Sequence, residues 1–168
     1  MSCPAEAPIE SLRHEGIRCV VNCTREGMAG DTVECAHDSS GEVEYCRVGV
    51  LDIETAEILP YLGPAARWIN AQRAAGKGVL VHCRMGRSRS ATVTISALME
   101  EGLRRNDPAG KATCRDDAYR QVKGARPCAD PNQGFWDQLA LFQQQLQGEP
   151  PPPHPILLGS TEGRCRSG

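Results

Sequence analysis

The chain has 168 residues, 40% of them hydrophobic, and 19 basic against 21 acidic side chains leave a net charge of −2. That length predicts one domain with its own core, and the near-neutral balance excludes a global pull toward nucleic acid or an anionic membrane. Aromatic residues make up only 4% of the chain, so aliphatic and cysteine side chains have to fill the interior.

No apolar run reaches the length of a membrane span, and Met1-Ser2-Cys3-Pro4 opens neither a signal peptide nor a myristoylation motif. The nine cysteines are odd in number and lack framework spacing, which predicts reduced thiols and a cytoplasmic setting, with the nucleus as a further one. Cys19, Cys23 and Cys46 fall on strand-like segments and read as core packing. Cys35 and His37 make half a metal site at most, with no second pair at ligand spacing, so no zinc is expected.

In chain order, Ile9 to Glu15 reads as a short helix ended by Gly16, followed by a strand from Ile17 to Cys23. Residues 24–41 are rich in glycine, charge and small polar groups and read as a loop. A strand from Glu44 to Val50 comes next, then a helical turn after Asp52 and a helix from about Pro64 to Ala75, with Pro64 in its first turn. Gly76-Lys77-Gly78 ends that helix and opens the apolar strand Gly78-Val79-Leu80-Val81. A helix follows from Arg89 to about Glu101. Residues 104–112 read as a polar excursion before a helix resumes near Arg115. A last helix spans Pro131 to Leu146, with Phe135, Trp136, Leu139 and Phe142 as its packing face. Strands alternating with helices predict an α/β fold, a central and mostly parallel sheet flanked by helices.

The segment richest in chemistry is His82-Cys83-Arg84-Met85-Gly86-Arg87-Ser88-Arg89-Ser90, between that apolar strand and the helix after it. A strand handing over to a helix through a loop with a thiol, a glycine and three arginines can wrap a phosphate. Backbone N–H groups and the helix N-terminus point at the anion, and the guanidinium of Arg89 can hold two of its oxygens. The Cys-to-Arg spacing alone decides nothing, because it recurs from Cys19 to Arg25 and from Cys114 to Arg120. The first recurrence has no glycine to let the backbone close on a ligand, and the second encloses Asp116 and Asp117, whose charge repels phosphate.

The loop resembles the signature of the cysteine-dependent protein tyrosine phosphatases, and of their small atypical dual-specificity branch in particular. Val48-Gly49-Val50-Leu51-Asp52 is similar to the strand end that carries that family's general-acid aspartate. Val122-Lys123-Gly124-Ala125-Arg126-Pro127 and Pro131-Asn132-Gln133-Gly134-Phe135-Trp136, then Gln138-Leu139, resemble its closing segment. The resemblance covers roughly residues 12–146. It implies a phosphatase signature loop between core strand and helix, and hydrolysis of phosphotyrosine and phosphoserine or phosphothreonine through a phosphocysteine. It implies Cys83 as nucleophile, Arg89 as the phosphate grip, Asp52 as acid and then base, and Ser90 as a hydroxyl partner of the thiolate. Arg84, Met85, Gly86, Arg87, Ser88 and Arg89 would surround the phosphate. His82 would shape the loop rather than act as base. No metal or other cofactor is required.

Asp31 and Asp38 are the competing aspartates, but they stand too early for the family spacing. Asn22 and Asn132 read equally as props of the site or as turn residues and stay outside the catalytic set. The partners implied are phosphorylated proteins, with no nucleic acid and no stable membrane association; the oligomeric state is open. Arg84 and Arg87 also suit a phosphoinositide or phosphatidylglycerophosphate-type lipid substrate. A catalytically weak phosphoprotein-binding pseudophosphatase is the other rival.

By this reading residues 1–148 form the catalytic domain, and 149–168 form a proline-rich tail whose composition favours disorder. The family's usual first strand is not recognised ahead of the first helix. Ile156-Leu157-Leu158-Gly159-Ser160 resembles it, so a strand delivered from the tail is the alternative.

Overall fold

The computed structural model describes residues 9–24, 43–104 and 114–148. Apart from Thr24 and Arg104, which ends a helix, the expected polar loops at 24–41 and 104–112 lie outside the described residues, as do the competing Asp31 and Asp38, the Cys35–His37 pair and the tail.

Eight elements follow one another: α1 (Ile9–His14), β1 (Ile17–Asn22), β2 (Glu44–Arg47), α2 (Leu59–Ala74), β3 (Gly78–His82), α3 (Arg89–Arg104), α4 (Arg115–Ala125) and α5 (Gln133–Gln147). The described strands form one parallel sheet in the order β2-β1-β3, with Val20 beside Tyr45 on one side and beside Leu80 on the other. An α/β fold on a parallel sheet is therefore what these residues form. Gly16 ends α1 at φ 71°, a left-handed conformation that suits glycine, and its carbonyl accepts from the Gly78 amide at 3.2 Å where β3 begins.

Alternation along the strands sorts the core into two layers. Val20 packs with Leu12 of α1 and Val43, with Leu80 against them. Val21, Cys46 and Val48 face the other way, into the main core with Leu62 and Ile69 of α2, Val93 and Ile95 of α3, and Phe135, Leu139 and Phe142 of α5. Three of the four residues expected on the packing face of α5 are thus fully buried. Trp136, the fourth, is half-buried and covered differently: the Arg115 guanidinium lies 4.0 Å from its ring centre and the Tyr119 ring meets it edge-on at 5.1 Å.

Two boundaries depart clearly from the expectation: β2 ends at Arg47 rather than Val50, and the helix expected from Pro64 starts earlier. Helix α2 begins at Leu59, so Pro60 occupies its first turn and Pro64 lies inside it. The missing donor at Pro64 costs a single bond, to the Pro60 carbonyl, near the end of the helix. The early start needs a cap that the neighbouring residues do not supply, because Ile58 has no side-chain acceptor. Gln138 of α5 supplies it: its Oε1 accepts from the Ile58 and Leu59 amides at 2.8 and 2.9 Å.

Candidate active site

Residues 83–88 connect β3 to α3, and the connection is as short as the sequence suggested. Gly86 takes φ 62°, and a Cβ there would run into the Arg126 guanidinium. Arg126 closes over the glycine with Nε donating to the Gly86 carbonyl at 2.7 Å. The first turn of α3 is secured by Thr92, whose amide and hydroxyl both donate to the Ser88 carbonyl, at 2.9 and 2.8 Å. The N-terminus of a sixteen-residue helix is thereby fixed directly behind the thiol.

Cys83 sits at the floor of this loop with no exposed surface, and its Sγ shares a 3.2 Å hydrogen bond with Ser90 Oγ. Arg89 is only 3% exposed. Its Nη1 donates to the Val50 carbonyl at 3.3 Å, and its Nε lies 3.6 Å from Asp52 Oδ2. Cys83, Arg89, Ser90 and Asp52 are therefore gathered at one place, with Asp52 brought in from the segment after β2. Gly86 and Ser88 are buried within the loop, whereas Arg84, Met85 and Arg87 are exposed on its rim. Arg87 turns outward to pair with Asp130 at 2.9 Å.

His82 is buried at the end of β3. Burial, with Arg47 nearby, pushes its imidazole below its usual range, which favours the neutral ring at neutral pH and suits a shaping role. Cys23 packs beside Cys83 and Cys46. Its thiol is pushed well up by burial, and further by those two neighbours, while burial takes Cys46 to about 12. These two cysteines are packing groups, as the strand pattern suggested. Asn22 is a turn residue: its Oδ1 accepts from the Thr24 amide and hydroxyl, at 2.9 and 2.7 Å.

Asn132 turns out to reach the site. Its Nδ2 donates to Asp52 Oδ1 at 3.0 Å, its backbone amide donates to Ser88 Oγ at 3.1 Å, and its Oδ1 caps α5 by accepting from Phe135 N at 2.9 Å. One residue thus ties the aspartate, the loop and a helix start together. Gln138 holds the same aspartate-bearing turn, since its Nε2 donates to the Ala56 carbonyl at 2.9 Å while its Oε1 caps α2. Gly134 permits the contact: a Cβ there would collide with the backbone of Glu54. The sequence signal for Asn132 was its place three residues before Phe135 at a helix start, which announces a cap but not a second bond to Asp52. Among the described residues, no cluster of three or more His, Cys, Asp or Glu side chains could hold a metal, and no helix is long and apolar enough to cross a membrane.

Comparison with known proteins places these features in a family. The family described as "Dual specificity phosphatase, catalytic domain" matches residues 2–145. Human dual specificity phosphatase 28 is 34% identical over 148 residues, covering 84% of this chain and 74% of that protein. Mouse dual specificity protein phosphatase 14 is 35% identical over 138 residues, 82% of this chain and 61% of that protein. The crystal structure of human DUSP28 superposes with a TM-score of 0.67 at 31% identity, over 88% of this chain and 91% of that one.

Proposed function

This chain belongs to the dual-specificity protein phosphatases, hydrolases of phosphoric monoesters that act on phosphoproteins, and we propose that it works through a phosphocysteine formed on Cys83. The observation that carries this reading is the convergence of Asp52 and Arg89, 3.6 Å apart, on the loop that holds the Cys83 and Ser90 pair.

In the first step Cys83 Sγ attacks phosphorus in line with the ester oxygen. An S–P bond forms as the P–O bond breaks, and Asp52 gives its proton to the departing oxygen. The phosphoryl oxygens lie among the loop amides, the start of α3 and the Arg89 fork, so that charge is met by fixed groups that need no rearrangement. Water then attacks the phosphocysteine. Asp52 takes its proton, the S–P bond breaks, and Ser90 Oγ stabilises the thiolate that leaves. The Arg84, Met85, Gly86, Arg87, Ser88 and Arg89 segment surrounds the phosphate, and neutral His82 holds the end of β3 in place. Asn132 and Gln138 act through Asp52 and are positioning residues.

Residues 1–148 form the catalytic unit in this reading, and 149–168 are a tail outside the chemistry. The cytoplasm, with the nucleus as a second place, suits a chain with many unpaired thiols. The protein-directed relatives favour phosphoproteins over the lipid alternative, and the full set of Cys83, Arg89 and Asp52 favours turnover over mere binding. A side-by-side assay of phosphotyrosine peptides, phosphothreonine peptides and phosphoinositide headgroups tests the reading. Peptide turnover exceeding headgroup turnover is expected; headgroup turnover alone, or none on any substrate by folded protein, would overturn it.

A further inference from the structure

Among the described residues three large hydrophobic side chains are exposed: Ile53 at 49%, Met85 at 60% and Leu141 at 47%. Leu141 belongs to α5. The other two belong to the candidate site, since Ile53 follows Asp52 directly and Met85 stands two residues after Cys83 within the loop. Scattered apolar side chains are ordinary on a protein surface, so their number means little. Their position and the rigidity of their backbone carry the argument.

Neither is exposed because its segment is loose. The Ile53 carbonyl accepts from the Ala56 amide at 3.1 Å, which closes a turn. On one side of Ile53, Asp52 is held by Asn132; on the other, the Glu54 backbone packs so closely on Gly134 that no Cβ fits there. Met85 precedes Gly86, which turns the chain at φ 62° and whose carbonyl accepts from Arg126 Nε at 2.7 Å. Backbone fixed from other elements thus keeps two apolar side chains in water, where they give up the stabilisation that burial brings.

We propose that Ile53 and Met85 are the walls of the substrate mouth and select phosphotyrosine over phosphothreonine and phosphoserine. This rests on the phosphocysteine reading above and adds a preference to it, with both kinds of ester still turned over.

Depth is the first reason. Cys83 has no exposed surface and Arg89 only 3%, so a phosphoryl group held between them lies below the rim. The two walls meet at that point, because Asp52, the neighbour of Ile53, lies 3.6 Å from Arg89 on the loop that carries Met85. Whatever the phosphate is attached to has to pass between them.

The chemistry of the attached group is the second. In a tyrosine ester it is a flat aromatic ring, with the peptide backbone beyond its far end. A ring packs well on an aliphatic side chain, and a methionine sulfur adds a favourable contact of its own. In a serine or threonine ester a single carbon separates the ester oxygen from the peptide backbone. The backbone is then drawn down to the level of Ile53 and Met85. Its N–H and C=O groups lose water there against side chains that return no hydrogen bond. The same two residues favour one ester and oppose the other, and specificity is the difference.

The test compares kcat/KM on two peptides of one sequence, one carrying phosphotyrosine and the other phosphothreonine. The unmodified protein is expected to favour the tyrosine peptide at least about tenfold. Ile53→Ala and Met85→Ala should each lower that ratio about three- to tenfold, through a higher KM for the tyrosine peptide. Both side chains are exposed, so folding should survive their removal. Leu141→Ala, which removes a similarly exposed side chain farther along α5, should leave the ratio unchanged. The ratio is the readout because a variant that merely disturbs the loop slows both peptides alike. Equal losses on both peptides in Ile53→Ala and Met85→Ala overturn the inference, as does a shift of the same size in Leu141→Ala. Turnover of both peptides without preference by the unmodified protein also overturns it and leaves the phosphatase reading standing. Turnover of neither peptide by folded protein overturns that reading itself, and the inference with it.

Discussion

Two segments meet at the candidate site, and they are held there by different means. Residues 83–90 are built from their own neighbours: Ser90 bonds Cys83 seven positions back, and Thr92 ties the Ser88 carbonyl within one helical turn. The turn carrying Asp52 depends instead on α5, through Asn132, Gly134 and Gln138, with Asn132 and Asp52 eighty positions apart. The loop thus has bonds of its own beside those it receives from Arg126, Asp130 and Asn132, while the acid is placed by tertiary packing. In energetic terms the first keeps its local bonds when a distant residue changes, and the second has none to keep. Substitutions in the loop should abolish chemistry outright, whereas those in α5 should grade it through the position of one carboxylate.

The largest expected effect is at the loop. Cys83→Ser should lower kcat by at least about 10⁴-fold on any ester, since the attacking atom itself is lost. Melting should change little, and retention of measurable turnover on an aryl phosphate would break the comparison at its base. Asp52→Asn comes next. The loss should be about 10²- to 10³-fold for alkyl and phenyl esters, and much smaller for a leaving group that needs no proton. A loss independent of the leaving group would mean that Asp52 is only structural.

Asn132→Asp sharpens the contrast, because it separates two functions of one residue. Aspartate caps helices as well as asparagine does, so stability should stay within about 1 kcal/mol. A carboxylate facing Asp52 in place of an amide donor should nonetheless cost about tenfold in kcat and alter the acid limb of its pH profile, with KM nearly unchanged. Equal falls in stability and activity would reduce Asn132 to a cap.

Gln138→Ala is expected to cost about 1–3 kcal/mol in denaturant unfolding, because the Ile58 and Leu59 amides lose their acceptor.

The smallest effect concerns His82. Its folded-state pKa is depressed below 6.5 by burial, so the unfolded chain binds the proton more readily. Stability should therefore hold above pH 6.5 and decline as pH falls from there through the folded value. His82→Asn should flatten that slope.

The same division explains how much the sequence revealed. The strand–loop–helix unit was legible because its signals are consecutive: an apolar run, a glycine at φ 62°, and an amphipathic helix directly after. The parallel sheet and the buried face of α5 were legible from periodicity for the same reason. Helix α2 was misjudged at its start because its cap arrives from Gln138, and no local residue hints at an acceptor eighty positions away. Asn132 carried a local signature for a helix cap, and its bond to Asp52 exists only once α5 has packed.

The central claim is that Cys83 takes the phosphoryl group onto its own sulfur. Asp52→Asn protein mixed with an activated aryl phosphate, acid-quenched within milliseconds and digested for mass spectrometry, tests it most directly. The account predicts about one phosphate per molecule on the peptide containing Cys83, accumulating because the base for the second step is missing. A burst of product with no adduct on that peptide, or an adduct on any other residue, would contradict it.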